Sequence, residues 1–240
     1  MPFMFFDPTT MVLLIPALVF ALWAQAKVSS TYAKFSRVGN RAGLTGADVA
    51  QLILKDADIS VPQAWGEARG AQTCNIERIG GRLTDHYDPR SRTLRLSQDV
   101  YNGNSVAALG IAAHEVGHAI QHAQMYAPLM ARNFIYPVCS VGSTLAFPLF
   151  FLGFFTGIGP LVKLGIILFS VAVAFTVLTL PVEFDASRRA LLALSRGGYL
   201  SEDELRGAKR VLSAAAMTYV AAVAMAIMQL VRMLTIADRD

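Results

Sequence analysis

The sequence predicts a mainly α protein: a bundle of four membrane-spanning helices carrying one small, membrane-proximal α+β domain. Three observations carry this expectation. The 240 residues are 54% hydrophobic, with a mean hydropathy of +0.46. That is too apolar for an ordinary soluble domain, and the length suits several spans plus one modest globular unit. Residues 8–26, 133–162, 164–182 and 211–231 contain no Asp, Glu, Lys or Arg, and a helix needs about 20 such residues to cross the hydrocarbon. Finally, residues 27–132 are polar enough to fold as a domain. The spans are therefore placed at 8–26, 133–155, 161–182 and 211–234, with polar segments at 27–132 and 183–210.

The first span has Ala24, Gln25 and Ala26 at its end, a small-x-small pattern that resembles a cleavage site. Residues 1–7 carry no Lys or Arg, however, and the basic charge follows the apolar run, so a retained anchor is expected. A helix over 29–38, a turn over 39–43 and a second helix over 45–56 follow, the latter started by Thr45 and Asp48. Residues 62–70 read as loop. Two strands are expected at 72–79 and 93–97, separated by GGRLTDHYDPRSR, which is dense in turn residues. Ser105 can cap a helix over 105–124, which holds no proline and is weakened only slightly by Gly110 and Gly117. Pro16, Pro137 and Pro148 are tolerable in spans because neighbouring helices can satisfy freed carbonyls. Residues 153–160 read as a tight hairpin. Pro181 fits a helix start, Gly197 and Gly198 a stop. Ser201 and Glu204 form a capping box for a last helix, rich in small residues over 213–226.

The net charge of +4 does not point to nucleic acid, because most basic residues sit beside apolar spans. Lys27, Lys34, Arg37 and Arg41 follow the first span, Arg132 precedes the second, and Arg188, Arg189, Arg196, Arg206, Lys209 and Arg210 lie between the third and fourth. Only Lys163, Arg232 and Arg239 remain for the other side. The positive-inside rule places 27–132 and 183–210 in the cytoplasm and both termini outside. Cys74 in the polar region and Cys139 in a span are expected to stay unpaired, in keeping with a reducing side.

The chemistry concentrates in SVAALGIAAHEVGHAIQHAQ, residues 105–124. On a helix, His114 and His118 stack on one face, close enough to share one metal ion, with Glu115 beside them. Neutral imidazole nitrogens suit Zn²⁺, and Glu115 is placed to take a proton from a metal-activated water. A third ligand is needed, and the candidates are His122, Glu183, Asp185, Glu202 and Glu204. His122 is rotated about 80° and lies about 12 Å further along the helix from His114. Glu202 and Glu204 are explained as capping residues. Glu183, at the end of the third span, is the leading candidate, with Asp185 behind it.

The stretches LTDHYDPRSRTLRLSQDVYNGNS, AALGIAAHEVGHAIQHA and LPVEFDASRRA, with the spans in the same order, resemble the YugP-type neutral zinc membrane metallopeptidases of bacteria. The resemblance covers nearly the whole chain and is weakest before Thr45. It implies a gluzincin-like zinc metallopeptidase domain in the bacterial inner (plasma) membrane, with His114, His118 and Glu183 at the metal positions and Glu115 as general base. The substrate would be a protein or peptide associated with the bilayer. The chain is similar, more distantly, to the CAAX-prenyl and heat-shock membrane proteases, which also insert two spans between HExxH and the ligand glutamate. Those carry an aspartate four residues after that glutamate. Here Ser187 stands there, with Asp185 as a substitute partner for the first histidine.

Other residues carry two readings. His86 and Tyr87 would orient substrate or an oxyanion, or belong to a turn. Arg188 and Arg189 would steady the tetrahedral intermediate, or serve as topology determinants. Cys74 reads as a strand residue. Strand 93–97 offers an edge that could hold an extended substrate. The alternatives to a peptidase are a catalytically idle zinc-binding membrane scaffold and a zinc transporter or sensor. A transporter would place ionisable ligands within its spans, and these are nearly free of them.

Overall fold

A computed structural model describes residues 8–62 and 72–238; the loop expected at 62–70 lies, from residue 63 onward, outside the described residues. The described chain is predominantly helical with one small sheet, and it divides into two compact units.

One unit comprises the described parts of Met1–Ala26, Met130–Leu180 and Met217–Asp240. Phe150, Met233 and Ile236 form its buried centre, ringed by further phenylalanines such as Phe147 and Phe169. The four helices that supply it are α1 (Pro8–Phe35), α5 (Ala127–Thr156), α6 (Gly159–Arg196) and α7 (Glu202–Ala237). All four are long and apolar enough to cross a membrane.

Two of these helices run further than the sequence suggests. α1 continues to Phe35 and absorbs most of the separate helix expected at 29–38, because no Gly or Pro stands between the apolar run and Ser29. α6 passes straight through Pro181, so this proline lies inside a helix and does not start one. It forfeits the single bond its N–H would give to the Val177 carbonyl, a loss a long helix can absorb. α6 then stops as expected. Gly198 takes the left-handed conformation (φ +64°), and Tyr199 N–H donates back to the Leu194 carbonyl at 3.1 Å.

The second unit comprises Lys27–Leu129 and Pro181–Ala216. α2 (Gly46–Asp56) begins with the Thr45/Asp48 capping box. Glu204 accepts both the N–H and the hydroxyl of Ser201 at 2.7 Å, and its other oxygen accepts Arg41 N–H at 2.7 Å. The capping role therefore extends to pinning the turn after α1. Three strands follow α2, namely β1 (Asn75–Ile79), β2 (His86–Asp88) and β3 (Thr93–Ser97). Their order is β1-β3-β2, with β1 parallel and β2 antiparallel to β3. β3 is thus the central strand, paired on both sides, and offers no edge to a substrate. The edge nearest the site belongs to β2, a three-residue strand hidden in the turn-rich stretch. A one-turn helix α3 (Gln98–Tyr101) leads to α4 (Val106–Ala123), whose N-cap Ser105 accepts Ala108 N–H.

Leu94 and Leu96 of β3, Val49, Ile53 and Leu54 of α2, and Leu109 and Val116 of α4 form one buried core with Ala190 and Leu194 of α6. Burying eight such Leu, Ile and Val side chains is worth on the order of 1.5–3 kcal/mol each before chain entropy is charged. α4 also approaches α6 at backbone range. A Cβ on Gly117 would stand 2.6 Å from the Ala186 carbonyl oxygen, so only glycine permits this crossing.

Candidate metal centre

α4 carries His114 and His118 on one face, and the Gly117 contact brings α6 against that face. Both Nε2 atoms turn toward the same carboxylate oxygen: His114 Nε2 is 3.4 Å and His118 Nε2 3.5 Å from Glu183 Oε2. One ligand atom from each of the three side chains lies within 4.8 Å of the others. The imidazoles meet edge to face, with centroids 4.9 Å apart. His118 and Glu183 are buried, and His114 is partly open. Burial alone would raise the Glu183 carboxyl, but the His114 and His118 imidazoles facing it outweigh burial and hold the group well below the usual carboxylate range. Burial likewise works to lower the His118 imidazole, but the acceptors Glu183 and Gln121 and the nearby Glu115 charge outweigh it and raise it. A buried carboxylate facing two imidazoles is a place where positive charge is favoured.

The other ring nitrogens are occupied. His118 Nδ1 lies 3.0 Å from Gln121 Oε1. The Gln121 amide nitrogen donates to the Val182 carbonyl at 2.8 Å and to Asp185 Oδ2 at 3.0 Å. Both of those partners can only accept, so the Gln121 oxygen must face His118, and Nδ1 must carry the proton. In the neutral ring Nε2 then keeps its lone pair, on the side of the cluster that faces Glu183. His114 Nδ1 is 3.1 Å from the Ser187 hydroxyl. Ser187 is therefore the partner of the first histidine, and Asp185 serves the second through Gln121. Two imidazoles with Nδ1 held and Nε2 converging on one carboxylate oxygen fit the donor set and orientation that Zn²⁺ requires.

The remaining candidates separate cleanly. Glu115 Oε2 accepts the backbone N–H of Tyr87 at 3.0 Å, which ties the proposed base to edge strand β2. Asp85 anchors the start of that strand by accepting Ser97 N–H at 2.7 Å, and burial raises its carboxyl. His122 is not in the cluster; its Nδ1 meets the Tyr87 hydroxyl at 2.8 Å. His86 is exposed, with Nδ1 2.8 Å from the Thr84 carbonyl, the arrangement of a turn histidine. Arg188 and Arg189 both pair with Asp185. Cys74 and Cys139 are unpaired, and burial pushes the Cys74 thiol up to about 12, so it behaves as a core residue. Sequence reasoning passed over Gln121 and Asp85. The only signal for Gln121 was its place three residues beyond His118 on the same helical face.

Two histidines and one carboxylate that could hold a metal ion thus stand in a chain with four helices long and apolar enough to cross a membrane. Residues 10–238 match the family described as "Putative neutral zinc metallopeptidase", and the chain belongs to that family. It is 44% identical over 224 residues to the "Putative membrane protease YugP" of Bacillus subtilis (strain 168), a match spanning 93% of this chain and 94% of the relative. No solved structure matches.

Proposed function

We propose that this protein is a zinc-dependent, membrane-integral endopeptidase that hydrolyses peptide bonds of membrane or membrane-proximal proteins on the cytoplasmic side of the bacterial inner membrane. The observation that carries this reading is the convergence of His114 Nε2, His118 Nε2 and Glu183 Oε2 with the Glu115 carboxylate one residue away on α4. His114, His118 and Glu183 would hold the ion. When bound, zinc supplies Lewis acidity, polarising the scissile carbonyl and bringing the pKa of the attacking water toward roughly 7.

The protein's own groups do the rest. Glu115 accepts the proton of the attacking water and delivers it to the leaving amine. The Tyr87 N–H holds the Glu115 carboxylate in one orientation through Oε2, so the base needs no reorganisation before each transfer. Gln121 and Ser187 fix the rings of His118 and His114. β2 ends the sheet beside Glu115, which suits an extended substrate paired along its backbone. The membrane placement rests on the apolar helices, and the cytoplasmic side on the Lys and Arg residues flanking them.

The deciding experiment measures zinc content and cleavage of an unstructured reporter for wild type, Glu115→Gln, His118→Ala and Glu183→Ala. Wild type should hold about one zinc per chain. Glu115→Gln should keep it while losing roughly 10²-fold or more in turnover, because an amide cannot accept the proton. His118→Ala and Glu183→Ala should lose zinc and activity together. Full activity in Glu115→Gln would refute the hydrolase; full zinc without cleavage of any protein in wild type would leave an idle scaffold or sensor.

A further inference from the structure

Glu183 and Ser187 of α6 face the metal centre, but Arg188, Leu192 and Arg196 line a different place, a cleft of about 850 Å³ within the second unit. No residue of the His114/His118/Glu183 cluster lines it, and neither does Glu115. Its apolar part comes from Ala57, which follows α2, Ile120 of α4 and Leu192, with Ile53 of α2, 1% exposed, also among the lining residues. Three guanidinium groups border it, from Arg188, Arg189 and Arg196, against a single lining carboxylate among the described residues, Asp56, with Asp185 paired to Arg188 and Arg189. The Asp56 carboxylate is already engaged by the Tyr199 hydroxyl at 2.5 Å.

Two of the arginines are held in place with donors to spare. Arg188 gives one N–H to Asp185. Arg189 gives one to Asp185 and one to Gln124 Oε1, and its guanidinium lies 5.6 Å from the Tyr126 ring centroid. Each guanidinium has five N–H groups. Arg196 is exposed and forms no ion pair among the described residues. Asp185 therefore acts as a strut that positions two forks without consuming them.

We propose that this cleft binds the phosphate of an anionic phospholipid, with the arginines on the phosphate and the aliphatic residues against the adjoining glycerol and acyl carbons. Planar guanidinium forks match tetrahedral phosphate in bidentate fashion, and an excess of positive charge over an apolar floor selects an anion with a greasy end. The position along the chain selects a lipid. Arg188 lies on the same unbroken helix as the charge-free residues 164–182, and only about 9 Å of helical rise beyond Val182. Basic residues directly beyond a span meet the anionic headgroup layer. A soluble phosphate shares the headgroup chemistry and differs in lacking the apolar part.

The test uses the full chain in a neutral detergent. Thermal unfolding is followed against short-chain phosphatidylglycerol, phosphatidylcholine of the same chain length, and inorganic phosphate. Phosphatidylglycerol should raise Tm saturably, phosphatidylcholine should not, and inorganic phosphate should need at least tenfold higher concentration. Arg188→Gln/Arg196→Gln should weaken the phosphatidylglycerol effect tenfold or more, while Arg78→Gln, an exposed arginine on β1, should leave it unchanged. The proposal is overturned if the double variant binds as wild type does, if Arg78→Gln loses as much, if phosphatidylcholine is equally effective, or if inorganic phosphate binds as tightly as the lipid. Should the double variant fail to fold, Arg196→Glu decides alone, and full retention of phosphatidylglycerol affinity there overturns the proposal as well.

Discussion

Gln121 is completely buried and makes hydrogen bonds to His118, Val182 and Asp185. It therefore links the histidine of one helix to the backbone that delivers Glu183 on another. Gln121→Leu keeps the volume but strands the His118 Nδ1 proton and two acceptors. Zinc affinity should fall roughly 10–100-fold, and stability by about 1–3 kcal/mol for the unsatisfied groups. Chelator competition and denaturant unfolding measure the two effects separately, and unchanged affinity would remove Gln121 from the centre. At this scale the sequence was legible where spacing alone fixes geometry. His114 and His118 share a face because they are four residues apart, and His122 misses the cluster because eight residues carry it round and away. Gln121 was not legible, because a helical glutamine has no periodic signature and its partners come from a helix some 60 residues later. The choice between Ser187 and Asp185 depended on side-chain reach across two helices, which spacing does not encode.

Among the elements, the capped helices were the easiest to read. Thr45 with Asp48 and Ser105 mark the starts of α2 and α4 because each offers an oxygen to otherwise unpaired backbone N–H groups. β2 escaped notice because its three residues stand among turn formers and are strand only through pairing with β3. Pro181 misled because the local preference of proline for a first turn was outweighed by the long helix around it. The contact between α4 and α6 depends on Gly117. Gly117→Ala puts a methyl 2.6 Å from the Ala186 carbonyl oxygen, so the helices must separate. The expected cost is about 1–3 kcal/mol, read as a lowered Tm, together with loss of zinc as Glu183 withdraws. A variant that unfolds at the wild-type temperature with full zinc would show that the crossing tolerates a side chain.

For the whole molecule, the composition and the four charge-free stretches were enough to anticipate four long apolar helices, whereas the continuation of α1 and α6 beyond those stretches was not written in hydropathy. The proposed orientation predicts that cysteines introduced near Arg41 and Gly198 are protected from an impermeant reagent in intact cells, while a C-terminal tag is accessible. Labelling of the Arg41 site from outside would reverse the assignment. The unit that houses the metal centre is discontinuous, Lys27–Leu129 and Pro181–Ala216 being separated by the hairpin of α5 and the first part of α6. This interruption sets a clock on biosynthesis. Glu183 leaves the ribosome about 65 residues after His118, roughly 3–13 s at about 5–20 residues per second. Over that interval the nascent chain has its HExxH helix but only two of the three proposed ligands. Under the proposed function, the centre is complete, and hydrolysis possible, only once the hairpin has been synthesised.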